Sequence, residues 1–429
     1  MKNVNLRFSF YKSCALMGLV IAACSPQQKQ ESSEEVLTIQ LENTLSIARP
    51  DEPLVFTKEQ MEQWAGKSTE GYPVFITTQG DTLPSQTDDV NSDGQWDEAA
   101  LVYSFRPQEK VSLQLGFVKA DQFPEFPART NVRLGVSRNR DGNYADAQQE
   151  VRDPEHQPQS QPPLYQMEGP AWENDKVAFR SYFDKRNGKD IFGKQRPELV
   201  MDKVGIEGNY HELNDWGMDV LKVGGSLGSG ALAMMDQEGQ LVRLGETDAA
   251  SFKVIAEGPA RAIMTLNYEG WDVDGQKLNL TETITIWAGQ YWTQSDVAIE
   301  GVEGEKTLVT GIVNKYSDEA ISQTVADYSV LATHAQQSEN KDILGMGLLV
   351  AKQFYTGEGE TLKEGDGVTE TYFTQLKIAE GKPATFYFVS AWERSNPVFA
   401  EKEGFVKLLQ EYATRLSRPV KVTQAKATL

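Results

Sequence analysis

The sequence predicts an all-β chain, a large antiparallel β-sandwich with short helices, and three observations lead there. Strand-like apolar runs follow one another at short spacings over 231–236, 252–256, 260–268, 278–287, 291–300, 307–314, 328–333, 345–352, 372–378 and 384–392. Clusters of Gly, Asn and Asp divide them, as hairpin connections require. Within one run, Thr281, Thr283, Thr285 and Trp287 alternate with Leu280, Glu282, Ile284 and Ile286, a period of two that suits a broad sheet. Strands do not alternate with long helices, so parallel βαβ folds and helical bundles are not expected.

From the start of the chain, residues 1–23 read as an export signal. Lys2, Arg7 and Lys12 precede an apolar run over 14–23, which ends in Ile21-Ala22-Ala23. That run is too short to span a bilayer as a helix. Cys24 directly after the small pair resembles a bacterial lipobox, which makes Cys24 the expected lipidation site and membrane anchor. Ser25 behind it implies outer-membrane delivery; cleavage without lipidation is the alternative. The other cysteine, Cys14, lies inside the signal, so neither a disulfide framework nor a cysteine metal site is expected. Losing the signal makes the formal charge of −20 more negative still, which argues against duplex nucleic acid as a partner.

Residues 24–35 are polar and aperiodic, a disordered tether. The sandwich is expected over 36–418, with strands at 36–48 and 74–78, and 36–108 either joins it or forms an N-terminal β lobe. Residues 57–66 predict a short helix with Thr57 as N-cap. Phe405, Leu408, Leu409, Tyr412 and Leu416 keep helical spacing, so a second helix is expected to pack on the sandwich. Residues 419–429 are left as a tail.

The stretch 168–222 stands apart. Between Lys176 and Lys203 eight basic residues face four acids, an inversion of the overall charge that predicts an anion-reading surface. Over 177–184 the period of two puts Arg180, Tyr182 and Asp184 on one face and Val177, Phe179, Ser181 and Phe183 on the other. With Trp172, His211 and Trp216 nearby, this is a set of residues suited to sugar: aromatic faces stack on rings and a forked Arg matches carboxylate or sulfate. A solvated strand face with ordinary loop lysines is the competing explanation.

Two further motifs allow alternatives. Residues 89–97 (DVNSDGQWD) place Asp89, Asn91, Asp93 and Asp97 as oxygen ligands for a structural calcium ion, with Gly94 at the bend. Ala100 stands where an EF-hand carries its bidentate Glu, and a turn rich in Asn and Asp explains the motif equally. His211, close in sequence to Tyr210, Glu212 and Asp215, is the histidine with the richest polar company; base, acid, metal ligand and plain loop residue all remain open. His156 lies in a Pro/Gln-rich loop and His334 at a strand end. The glycines of 224–230 lack the sequence of a phosphate loop and predict a tight turn near the site.

The blocks DVNSDGQWDEAALVYSF, EGPAWENDKVAFRSYFDKRNGKDIFGK, YHELNDWGMDVLKVGGSLGSGALA and EGPARAIMTLNYEGW together resemble a domain-of-unknown-function family of exported bacterial proteins and lipoproteins from polysaccharide-degradation gene clusters. The resemblance implies a galactose-mutarotase-like supersandwich, a fold shared with polysaccharide lyases and sugar epimerases. It includes an oligosaccharide dehydratase acting on ulvan, a sulfated rhamnose–uronate polymer, but carries over no catalytic set.

Elimination from a uronate needs a base for the proton beside the carboxylate, a neutraliser for the carboxylate and an acid for the leaving oxygen. Arg180 and Lys176 are the expected neutralisers, His211 and Tyr182 the base and acid in either order, and Tyr210 a substitute. Trp172 and Trp216 would form the stacking platform. No cofactor is required, although a divalent ion held by His211, Glu212 or Asp215 could replace the Arg. An acidic oligosaccharide is the expected partner. Three alternatives stay open: a non-catalytic glycan-binding lipoprotein, a glycoside hydrolase using carboxylates such as Asp184 and Asp215, and an epimerase.

Overall fold

A computed structural model describes residues 37–66, 70–153, 162–304, 306–379 and 381–424. The export signal, Cys24, the tether and His156 lie outside the described residues.

The chain forms the expected antiparallel sandwich. Nine strands make its larger sheet, running from Gln149–Val151 at one edge through Arg261–Val273, Gln276–Trp287, Trp292–Glu300 and Ala384–Trp392 to Ile321–Val325 at the other. Two five-stranded sheets oppose it. One runs in the order Gly217–Asp219, Lys189–Lys194, Val177–Ser181, Ala171–Asn174, Thr130–Arg133. The other is centred on Thr307–Val313 between Ser229–Met235 and Thr371–Lys377, and a parallel bridge between Lys189 and Gly228 links the two. The predicted alternation explains the interior. Leu280, Ile284, Met264, Leu266, Phe386 and Phe388 of the large sheet meet Phe179, Ile191, Leu232, Met234 and Leu308 from the opposing sheets. Glu282 shares that inward face, and a buried ion pair with Lys189 compensates its charge across the interior.

The other face of the large sheet is covered by the helix Lys402–Ser417. Its Phe405, Leu409, Tyr412 and Ala413 pack on Val330, Ala332, Leu349 and Val389. Two glycines permit the approach: a Cβ at Gly345 or Gly347 would lie 2.7 and 2.8 Å from Phe405 and Leu409 respectively.

Two smaller sheets enclose a separate apolar cluster containing Ile39, Leu41, Phe56, Phe75, Leu101 and Leu113. The helix Lys58–Ala65 closes it with Met61; the Thr57 side chain accepts from Gln60 N at 3.1 Å, and Gly66 ends the helix at φ +67°. One assignment is corrected here. Residues 421–424 are no tail: Lys421–Gln424 is a strand paired with Leu37–Glu42, Leu41 opposite Val422.

Candidate active site

The hairpin linking Val177–Ser181 to Lys189–Lys194 sets the site. Tyr182 N donates to Gly188 O at 2.9 Å, which fixes the register with Arg180 opposite Asp190. Asp190 and Phe192 then share one face, and Asp219 lies opposite Phe192 on the next strand. Arg180, Asp190 and Asp219 therefore converge by strand geometry alone.

Their contacts are close and buried. Arg180 donates through Nη2 to Asp190 Oδ2 at 2.7 Å and to Asp219 Oδ2 at 2.9 Å, and through Nη1 to Met167 O at 3.1 Å and Tyr210 Oη at 3.2 Å. Tyr182 Oη donates to Asp190 Oδ2 at 2.8 Å. Tyr210 and His211 come from the loop before Gly217–Asp219, and His211 Nδ1 lies 3.3 Å from Asp219 Oδ2 with its side chain 61% exposed. Met167 and Glu168 both hold positive φ, at 54° and 66°, an unusual pair of left-handed non-glycine residues. That turn brings Met167 O onto Arg180 and Glu168 onto the site rim.

Glu168, Arg180, Tyr182, Asp190, His211 and Asp219 line a cavity of about 300 Å³ whose walls also carry Arg186, Lys222, Gly224 and Glu339. Arg186 bonds Asp184 at 2.6 Å and Glu168 at 3.2 Å, and its guanidinium lies 4.3 Å from the Tyr182 ring centroid. The predicted glycine-rich turn is present, and Gly224 brings backbone to the wall as expected.

The electrostatics follow from burial. Burial opposes the Arg180 charge, but Asp190 and then Asp219 outweigh it and hold its pKa well above the ordinary value. Burial, then the Asp219 charge, pushes Asp190 up to about 7. Burial and the Asp190 charge raise Tyr182 strongly, so it keeps its proton. The hydrogen bond to Asp219 raises His211. One cation, two carboxylates and an imidazole thus share a proton that can reside on Asp190 or His211. With Nδ1 turned to Asp219, the other ring nitrogen of His211 is free to exchange a proton with a substrate.

Several expected roles are overturned. Trp172 is no platform: it is 1% exposed, stacks on Phe179 at 5.8 Å and donates to Thr293 Oγ1 at 3.0 Å inside the core. Lys176 lies in the turn at the far end of the strand and does not line the cavity. Arg180, with its donors engaged by protein, is a buried support rather than a carboxylate clamp. The basic surface is smaller than its count implies. Arg180, Lys189 and Lys194 are buried in ion pairs with Asp190, Glu282 and Glu173.

Asp184 is spent on Arg186. Asp215 pairs with Arg196 at 2.9 Å and lines a different cavity with Trp216, so Asp184 and Asp215 do not face each other across a cleft. Glu212 accepts from Asn209 Nδ2 at 3.0 Å, and His211, Glu212 and Asp215 do not gather around one point. His334 is structural, with Nε2 2.8 Å from Phe399 O and its ring stacked on Phe405.

In the 89–97 loop the carboxylates serve the loop's own amides. Asp89 accepts from the backbone of Asp93 and Gly94, and Asp97 from Val90, Asn91 and the Asn91 side chain. Among the described residues no three His, Cys, Asp or Glu side chains form a metal-holding group.

The sequence reading missed Asp190, Asp219, Arg186, Lys222, Glu168 and Glu339 as site residues. None carries a clear local signal: Asp190 meets Arg180 only through the observed hairpin register.

Fold and site together define a large antiparallel β-sandwich with a charged, proton-holding cavity on one small sheet. The chain belongs to the family described as "Domain of unknown function (DUF4861)", which matches residues 41–422. An "Uncharacterized protein P7" of Formosa agariphila is 21% identical over 418 residues, covering 92% of this chain and 94% of its own length. Among solved structures, an alpha-mannosidase from Enterococcus faecalis V583 superposes with a TM-score of 0.46 at 10% identity, covering 92% of this chain and 46% of the mannosidase. A glycosyl hydrolase family 38 protein from Enterococcus faecalis gives 0.45 at 9%, covering 92% of this chain and 48% of that one. This chain spans about half the length of either solved structure.

Proposed function

We propose that this chain is an exported carbohydrate-active enzyme that eliminates water or an alcohol from a uronate-containing oligosaccharide, such as a fragment of ulvan. The observation that carries the reading is the His211–Asp219 contact at the mouth of a cavity that also presents Arg186 and Lys222. His211 takes the proton from the carbon beside the uronate carboxylate. The freed electron pair forms the carbon–carbon double bond, and the bond to the leaving oxygen breaks. Tyr182 gives that oxygen its proton and regains one from Asp190, 2.8 Å away. The proton lost from Asp190 equals the one gained by His211, so the cluster's charge is unchanged. Arg186 and Lys222 meet the carboxylate as its charge grows, and Asp219 holds the imidazole in the base tautomer.

A hydrolase would need carboxylates on opposite sides of the scissile bond. Asp190 and Asp219 instead bind the same guanidinium nitrogen, so that pair cannot straddle a scissile bond. In the cell, the domain is held to the outer membrane by lipid on Cys24; if Cys24→Ser fractionates with membranes as wild type does, the anchor is not there. The reaction is tested by incubating the protein with uronate oligosaccharides and following mass and ultraviolet absorbance. Loss of water, or cleavage with a new double bond, is expected. Cleavage with gain of water, isomers of equal mass, or binding without change would replace this reading by hydrolase, epimerase or binding protein respectively.

A further inference from the structure

A second cavity, of about 420 Å³, opens on the other side of the loop that carries His211. His211 faces the first cavity, whereas Asn214, Asp215 and Trp216 line the second together with Arg196 and Lys203. One buried ring lies between them: Phe192 is 5.3 Å from the guanidinium of Arg180, which lines the first cavity, and 6.2 Å from Trp216, which lines the second. The indole therefore sits close to the proton-moving groups, within the reach of an oligosaccharide that occupies the first cavity.

The loop is held firmly. Asn214 Nδ2 donates to Asn209 O at 3.0 Å and Glu212 O at 2.7 Å, closing the loop on itself. Gln195 ties its C-terminal end from the neighbouring strand, its backbone donating to Trp216 O at 2.7 Å and its side chain to Asn214 O at 3.0 Å. Behind Trp216, Gly217 has φ +139°, and a Cβ there would lie 1.8 Å from Gly193 O, so the chain hugs the adjacent strand. At the rim Arg196 and Asp215 form an exposed pair at 2.9 Å, one a donor fork and the other an acceptor. A fixed, part-exposed indole beside a donor and an acceptor matches a sugar ring, whose C–H face is apolar and whose edge carries hydroxyls.

We propose that this second cavity is a sugar subsite, in which a residue further along the oligosaccharide stacks on Trp216 while Asp215 and Arg196 bind its hydroxyls. The proposal rests on the carbohydrate reading above and extends it: the enzyme takes chains longer than the unit it reacts with. The subsite acts on binding, so its effect depends on substrate length.

The test compares a disaccharide and a tetrasaccharide of one uronate polymer, ulvan, with wild type, Trp216→Ala and Trp216→Phe. Wild type should prefer the tetrasaccharide in kcat/KM by about tenfold, Trp216→Ala should lose that preference while keeping its disaccharide rate, and Trp216→Phe should keep most of it. Calorimetric binding of the same two sugars supplies a readout that does not need turnover. If no sugar reacts but Trp216→Ala weakens tetrasaccharide binding selectively, the subsite stands and the elimination reading fails. Equal effects on both lengths, no effect on either, or no binding of the tetrasaccharide by wild type would overturn the subsite. Should Trp216→Ala not fold, Asp215→Ala and Arg196→Ala take its place: a tetrasaccharide preference reduced in either supports the subsite, and an unaltered length preference in both would overturn it.

Discussion

Replacing Asp219 by Asn separates the roles assigned to the buried cluster. The amide oxygen can still accept from Arg180 at the 2.9 Å contact, but the charge is gone. Arg180 would remain neutralised by Asp190, bound through both Nε and Nη2 at 3.3 and 2.7 Å. The large penalty of a stranded buried cation is therefore avoided, and the cost should be nearer that of one charge-assisted hydrogen bond, about 1.5–3 kcal/mol.

The effect on turnover should be larger. His211 loses the hydrogen bond that chiefly raises its pKa, and with it the contact that fixes its tautomer. The active base is the neutral imidazole and the acid step draws on a proton of Asp190, so wild-type turnover should be bell-shaped, rising as His211 deprotonates above the ordinary histidine range and falling as Asp190, pushed up to about 7, loses its proton. In Asp219→Asn both limbs should move to lower pH, while the maximum falls by about a hundredfold to ten-thousandfold. Tyr210, Arg180 and Asp190, which also face the imidazole, are unchanged, although Asp190 should titrate lower without the neighbouring charge. The assay is the pH dependence of double-bond absorbance, with a urea melt alongside. If the maximum falls but the acidic limb stays in place, the titrating base is not His211. If neither changes, Asp219 has no part in the reaction.

Three other outcomes follow from the same contacts. Trp172→Ala should cost about 3–5 kcal/mol in a urea midpoint, because the indole is core; unchanged stability with lost sugar binding would restore it as a platform. Arg186→Ala should raise KM for an acidic oligosaccharide and lower kcat as well, and a variant unchanged in both would remove Arg186 from carboxylate binding. If calcium binds among Asp89, Asn91, Asp93 and Asp97, a chelator should lower the melting temperature of wild type and leave Asp93→Ala unaffected; an identical wild-type melt in chelator leaves the hairpin turn alone.

The core strands of the large sheet were legible because each carries a continuous or alternating apolar run. Edge strands such as Ile321–Val325 and Tyr355–Glu360 were not, since they are half exposed and mix Ser, Gln, Thr, Gly and Glu among few apolar positions. The same limit explains Trp172 and Arg180. Period two says which side chains share a face, but not whether another layer covers it. Here Met167, Met201 and Val204 cover the face that carries Arg180, and the large sheet covers the opposite face, where Trp172 lies beside Phe179, so both are interior. Register was the second obstacle. Asn187-Gly188 advertises a hairpin, yet a two-residue loop there would set Arg180 opposite Gln195. The longer turn actually formed pairs Arg180 with Asp190, and only that pairing reveals the cluster. His211 was found through its chemistry, whereas Asp219 needed the third strand.

The pairing of Leu37–Glu42 with Lys421–Gln424 bears on how this molecule is made. Val422 leaves the ribosome only after every strand between it and Leu41 has been made, so this sheet must wait for all of them before its outer strand arrives. Until then Leu37–Glu42 has an open side, a place where a passing strand could pair wrongly. Deleting residues 421–424 would leave that side open for good, and the cost should show as aggregation during synthesis as well as reduced stability. The same neighbourhood offers an engineering route: the first and last described strands lie side by side, so a short linker joining them, with new termini cut in an exposed turn such as 237–240, should yield a permuted domain that builds its sheets in a different order and reaches the same end.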